Sequence, residues 1–221
     1  KLTACEGKTS ALSYGMFLGG IFGHSFGGNM VDGCTVENTT LTGSWKTGGI
    51  TGYADGVTVS DTVVRNVTVS GSGVIGAMIG HANAGATDLT DIVVADVVDG
   101  EAAPLYLVAT NYASGKNNTV TVSGDATNVV VADVLGDVTS TDELSVTGGT
   151  YTTVDTNGNT VKLDVGAYIP ANAVQTEDGT VATISGVARI GTQGYETLAE
   201  AVAAATAGDT ITLLGDVTQD D

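Results

Sequence analysis

The chain has 221 residues, enough for one or two domains and a core that needs no staples. It carries 25 acidic and 7 basic residues, a net charge of −18, which argues against nucleic acid and against anionic membrane surfaces, because both need clustered Lys and Arg. Gly is frequent at 32 residues while Pro is only 2, so the chain reads as many tight turns rather than a collagen-like or Pro-rich rod.

Abundant Val and Thr favour strands. Charged residues are 14% of the total, too few to coat long helices, so Thr, Ser, Asn and Asp must supply the polar surface. Solubility is the plain reading of the acidity. Acidic side chains also offer the oxygen ligands that Ca²⁺ takes, so Ca²⁺ is the one cofactor the composition admits. No run of 18 apolar residues exists, so no membrane-inserted helix is expected. The chain starts at Lys1-Leu2-Thr3, inside a strand-like pattern and without a leader. It reads as a processed or excised piece of a larger multidomain chain.

From the N-terminus, three blocks align. They are Gly19-Gly20-Ile21-Phe22-Gly23-His24, Gly48-Gly49-Ile50-Thr51-Gly52-Tyr53 and Gly76-Ala77-Met78-Ile79-Gly80-His81. Their closing glycines, Gly23, Gly52 and Gly80, are 29 and 28 residues apart. A second run follows each block: Cys34 to Gly43, Thr62 to Gly71 and Ile92 to Gly100. Alternate residues in it are inward candidates: Cys34 and Val36, Thr62 and Val64, Ile92 and Val94. A unit of about 28 residues made of short strands cannot bury its own apolar face. Stacking such units at ~4.8 Å solves this, giving an all-β parallel β-helix, a solenoid, over residues 1–100.

The stack predicts pairings. Asn38, Asn66 and Asp96 share one position and form a structural ladder of buried side chains inside a turn. Asn38-Thr39-Thr40 and Asn66-Val67-Thr68 match a glycosylation sequon, set aside because a turn would bury both asparagines. Glu37 and Arg65 should form an exposed ion pair between coils. Cys5 and Cys34 fall one period apart, within disulfide range for stacked Cα atoms. A bridge and two buried thiols both fit that spacing.

Chemistry is sparse. A glycosidase needs two carboxylates at fixed separation; Asp61 and Asp91 occupy equivalent columns, with Asp88 nearby. Arg65 is the basic residue of the regular stack that lies near acids. Ser25 follows His24 on a strand and so faces away from it. His24 and His81, two coils apart, are too distant to share a zinc ion. No catalytic or metal residue is assigned. The ring column His24, Tyr53 and His81 is the better candidate. Rings stepping along the stack, with Phe26, Asp55 and Asn83 nearby, could contact sugar faces, while Asp and Asn bond hydroxyls. Packing of the rings on one another is the plainer alternative.

Beyond residue 100 the spacing changes. Short strands end at Gly124, Gly148, Gly166 and Gly186, which are 24, 18 and 20 apart. Residues 101–188 read as the same helix continuing with shorter or irregular coils. Residues 101–118 read as an insertion with Pro104 and the turn Ser114-Gly115-Lys116-Asn117-Asn118. Val130 to Val134 echoes Val93 to Val97. Residues 189–221 hold one short C-terminal α-helix within Tyr195 to Ala207. Its apolar face is Leu198, Ala201, Val202 and Ala205, and Gly208 stops it. A strand, Thr210 to Leu214, follows. This segment reads as a cap on the stack or the start of a next module.

The blocks Gly19 to Gly23, Gly48 to Gly52 and Gly76 to Gly80 resemble the GLUG motif of bacterial cell-surface, adhesin-like proteins, over roughly residues 15–100. The third copy departs at Ala77, where the motif usually has Gly. Tyr195 to Ala201 with Gly208 to Ile211 is similar to the entry cap of pectate-lyase-like β-helices, and to a unit repeated in large surface proteins of gut bacteria. The resemblance implies the right-handed form of the coil and an extracellular place, secreted or on the bacterial surface. It implies a non-enzymatic, adhesin-like module that binds host or dietary glycans or an extracellular protein. A structural spacer or stalk is the second reading, and a polysaccharide lyase or glycoside hydrolase the third.

Overall fold

Each coil is a series of short alternating runs, and the alternation changes phase wherever one residue turns left-handed. The computed structural model describes residues 2–3, 6–8, 11–13, 16–25, 27–83, 85–108, 119–129 and 144–215, with backbone alone before residue 16. In the coil that starts at residue 57, Val57 and Val59 are buried, then Thr62 and Val64, then Val67 and Val69. Asp61 (φ 46°) and Asn66 (φ 50°) separate these runs. A single left-handed residue bends the strand and shifts the inward phase by one. Asp and Asn tolerate that conformation because their short side chains bond locally.

These corners repeat up the stack. Gly33 (φ 60°), Asp61 and Asp91 (φ 51°) form one column, and Asn38 (φ 52°), Asn66, Asp96 (φ 54°) and Asn128 (φ 57°) form another. Gly28, Gly56 and Gly85 form a third, at φ 79°, 76° and 76°. Asp61 and Asp91, weighed above as a carboxylate pair, therefore have a backbone reason to be where they are. The coil below fills their position with glycine, which needs only the conformation.

The parallel registers follow the period. Val31, Val59, Leu89 and Val122 make one buried column. Val36, Val64, Val94, Ala126 and Tyr151 make another. The result is a parallel β-solenoid of about four turns with one short helix. Side chains also bond at the 28-residue step: Ser60 Oγ donates to Asp32 at 2.8 Å, and Thr42 and Ser70 hydroxyls lie 3.0 Å apart.

Several expectations need correction in detail. Asn38, Asn66 and Asp96 do stack in one column, and Asn66 Nδ2 donates to Asn38 Oδ1 at 2.6 Å, but all three residues are exposed. A left-handed corner turns its side chain outward, so burial is no ground for setting the sequons aside. Arg65 Nε donates to Glu37 Oε2 at 2.7 Å, yet the pair is only half exposed, with the Glu37 side chain at 11% and Arg65 at 57%. Cys34 is buried; its pairing with Cys5 lies outside the described residues, because Cys5 does.

The corner column makes a test of its own. Asn66→Gly should stay within about 1 kcal/mol of wild type, because glycine accepts φ 50° freely. Asn66→Val should cost about 2 kcal/mol, because a β-branched residue resists that region. Urea unfolding midpoints decide it. Equal midpoints for the two variants would mean the corner is not under conformational strain.

The stack passes through the segment read as an insertion. Ala77 N donates to Tyr106 O at 2.7 Å and Met78 N to Leu107 O at 3.0 Å. These repeat the bonds Gly49 N to Ala77 O and Ile50 N to Met78 O. Leu105 to Val108 is thus the fourth-coil counterpart of the Gly-Gly-Ile blocks, and Ala77 keeps their geometry without being glycine. The turn at 114–118 and the echo at 130–134 lie outside the described residues.

Within the span read as continuing coils, parallel pairing reaches Leu144–Val146 and Tyr151–Thr152. From Gly149 the pairing turns antiparallel: Gly149–Val154 pairs Thr160–Lys162 and Thr180–Thr183, and Ala173–Gln175 also pairs Thr180–Thr183. Five residues separate Val154 from Thr160, and so short a link allows a hairpin but no crossover. Asp155 closes that hairpin by accepting from the Asn159 side-chain amide, from Asn159 N and from Asn157 N, which together hold its carboxyl below the usual range. Tyr151, Val165, Ala173 and Val181 from these hairpins join the main core.

The helix is Leu198–Ala204, with Thr197 and Glu200 forming a capping box. It is shorter than expected, since Tyr195 lies in a strand paired with Ala188. Ala201 is buried but Val202 is 59% exposed, so the apolar face is narrower than the sequence suggested. The helix packs on an antiparallel sheet of Ala188–Ile190, Gln193–Tyr195 and Ile211–Leu213. Among the described residues no helix is long and apolar enough to cross a membrane.

Candidate binding surface

The ring column forms as the period demands. Phe22–Ser25 and Thr51–Ala54 run parallel with His24 opposite Tyr53, and the bridge of Ala54 to Ala82 sets His81 above Tyr53. The His24 and Tyr53 centroids are 4.6 Å apart, edge to face. Tyr53 and His81 stack at 4.9 Å and 20°.

The column is not a row of bare rings. The strands Phe17–Gly19 and Lys46–Gly48 pair with each other and fold back against it. Gly52 permits this, because a Cβ there would lie 2.4 Å from Lys46 O and 2.5 Å from Leu18 N. Phe17 then reaches His24 at 5.2 Å, Tyr53 at 5.0 Å and Trp45 at 5.3 Å. The Lys46 ammonium lies 4.5 Å from the Tyr53 centroid and 4.7 Å from that of Trp45, a cation held over two ring faces. His81 is consequently buried, and His24 and Tyr53 are half-buried.

The polar neighbours are engaged as well. Asn83 Nδ2 donates to Asp55 Oδ1 at 2.5 Å, and His24 Nε2 lies 3.4 Å from Asp55 Oδ2. Asp55 thus ties its own coil to the coils on both sides. Burial, and then the Asp55 charge, push the Tyr53 hydroxyl up from its ordinary pKa. Burial pulls the Lys46 ammonium down.

His24, Tyr53, His81, Asp55 and Asn83 therefore converge, while Phe26, also expected nearby, lies outside the described residues. Four others went unread: Met16, Phe17, Trp45 and Lys46. Of this group Trp45 and Met16 are the open members, at 46% and 59% exposed. A signal for Trp45 did exist: it is the chain's single tryptophan, two residues past the Gly43 that closes a repeat run.

The carboxylates do not gather. Among the described residues no three His, Cys, Asp or Glu side chains converge as a metal-ligand set. Comparisons with protein-family models, curated proteins and solved structures found no match. The class of the protein, a parallel β-solenoid, is set by its fold.

Proposed function

We propose that the chain is a non-enzymatic, adhesin-like module of a secreted or surface-anchored bacterial protein, and that its ring surface binds glycan. The observation that carries this is the cluster Phe17, His24, Trp45, Tyr53 and His81, drawn from three successive coils and leaving an indole half exposed. Aromatic faces held by a rigid ladder lose little freedom on binding. The third reading, an enzyme, is weakened because Asp61 and Asp91 serve left-handed corners.

The test is a glycan and host-matrix array probed with wild type and Tyr53→Ala. Binding is expected to fall at least roughly tenfold in the variant, since Tyr53 underlies both Phe17 and Lys46. Circular dichroism should show the fold intact. An array with no hits would favour the spacer reading.

A further inference from the structure

We propose that the Trp45 indole is a stacking platform for a neutral, flat-faced pyranose, as in a β-1,4-linked glucan chain. This rests on the glycan-binding reading above and names its ligand class and contact residue.

The first argument is the column in which Trp45 stands. Phe17 registers with Lys46, and Lys46 with Val74, so Met16, Trp45 and Gly73 follow one another up the stack. The coil above places no side chain in the tryptophan's column. Nor could it: a Cβ on Gly73 would lie 1.9 Å from Trp45 O. The indole is therefore never covered from that coil, and it stays 46% exposed on a chain with a single tryptophan.

The second argument is rigidity. Phe17 stacks on Trp45 at 5.3 Å and 30°, and Phe17 is itself fixed by His24 and Tyr53. Lys46 adds its ammonium 4.7 Å from the indole centroid. The ring is held before a ligand arrives, as a recognition site requires.

The third argument is charge. The half-exposed indole offers ring surface to the apolar C–H face of a sugar, which is flattest where every hydroxyl is equatorial. Lys46 is the cation at this surface, and it is 8% exposed and packed over two rings. It is not presented to a carboxylate. With a net charge of −18, an acidic polysaccharide is repelled. Hydroxyls within a few residues of Trp45 or of Gly73 in its column suit a neutral chain: Thr42 beside Ser70 at 3.0 Å, and Ser72, whose Oγ donates to Ser44 O.

The lone tryptophan is its own reporter. Cellohexaose titrated into wild type should change Trp emission saturably, and polygalacturonate should not. Calorimetry should show affinity falling at least roughly tenfold in Trp45→Ala, with much of it kept in Trp45→Phe. Cellohexaose binding without an emission change, or undiminished in Trp45→Ala, would overturn the platform while leaving glycan binding intact. So would binding of other array glycans but not cellohexaose. Polygalacturonate binding at Trp45 would overturn the neutral class. Binding of host-matrix proteins alone, or of nothing, would sink both this and the glycan reading.

Discussion

Gly52→Ala is expected to cost about 3 kcal/mol, the upper end for adding one methyl to a packed interior. The added Cβ would sit 2.4 Å from Lys46 O, 2.5 Å from Leu18 N and 2.9 Å from Leu18 O. All three are backbone atoms of paired strands, so no rotamer change relieves the contact. The strands Phe17–Gly19 and Lys46–Gly48 must move away from Thr51–Ala54. That movement would draw Phe17 and Lys46 off the ring column, so near-ultraviolet circular dichroism should weaken along with the urea midpoint. A variant with wild-type midpoint and wild-type aromatic signal would show that this close approach is not required.

Leu89→Ala is the second large effect, expected at about 2–5 kcal/mol. Leu89 is fully buried in a 13-residue strand, stacked between Val59 and Val122. Coils on both sides hold their own hydrogen bonds and cannot close the cavity. Val202→Ala is the control, because Val202 is 59% exposed on the helix; it should change stability by less than about 0.5 kcal/mol. Similar losses for the two would contradict the inward assignment of Leu89.

The ring surface shows how far a repeat can be read. Equivalent residues one period apart had to stack, so His24, Tyr53 and His81 were legible, as was the contact of Arg65 with Glu37. Residues in different parts of one coil were not. Phe17 and Lys46 reach the column because two strands fold back flush over Gly52, and spacing along the chain says nothing about that approach. The corner acids show the opposite failure. Asp61 and Asp91 stood out as aligned carboxylates, but Gly33 in the same column pointed to backbone conformation.

The class of fold, the period and the stacking register of the first three coils were legible in residue spacing alone. Near-constant spacing of inward residues leaves one way to bury them, with each coil on the next. Three things were decided only in the tertiary structure. Leu105 to Val108 joins the stack by backbone bonds to Ala77 and Met78, and backbone bonds need no Gly motif. The antiparallel pairing of Gly149–Val154 with Thr160–Lys162, and of Ala173–Gln175 with Thr180–Thr183, follows from links too short for another crossover. The exposed indole of Trp45 depends on what each neighbouring coil places beside it, Phe17 on one side and Gly73 on the other.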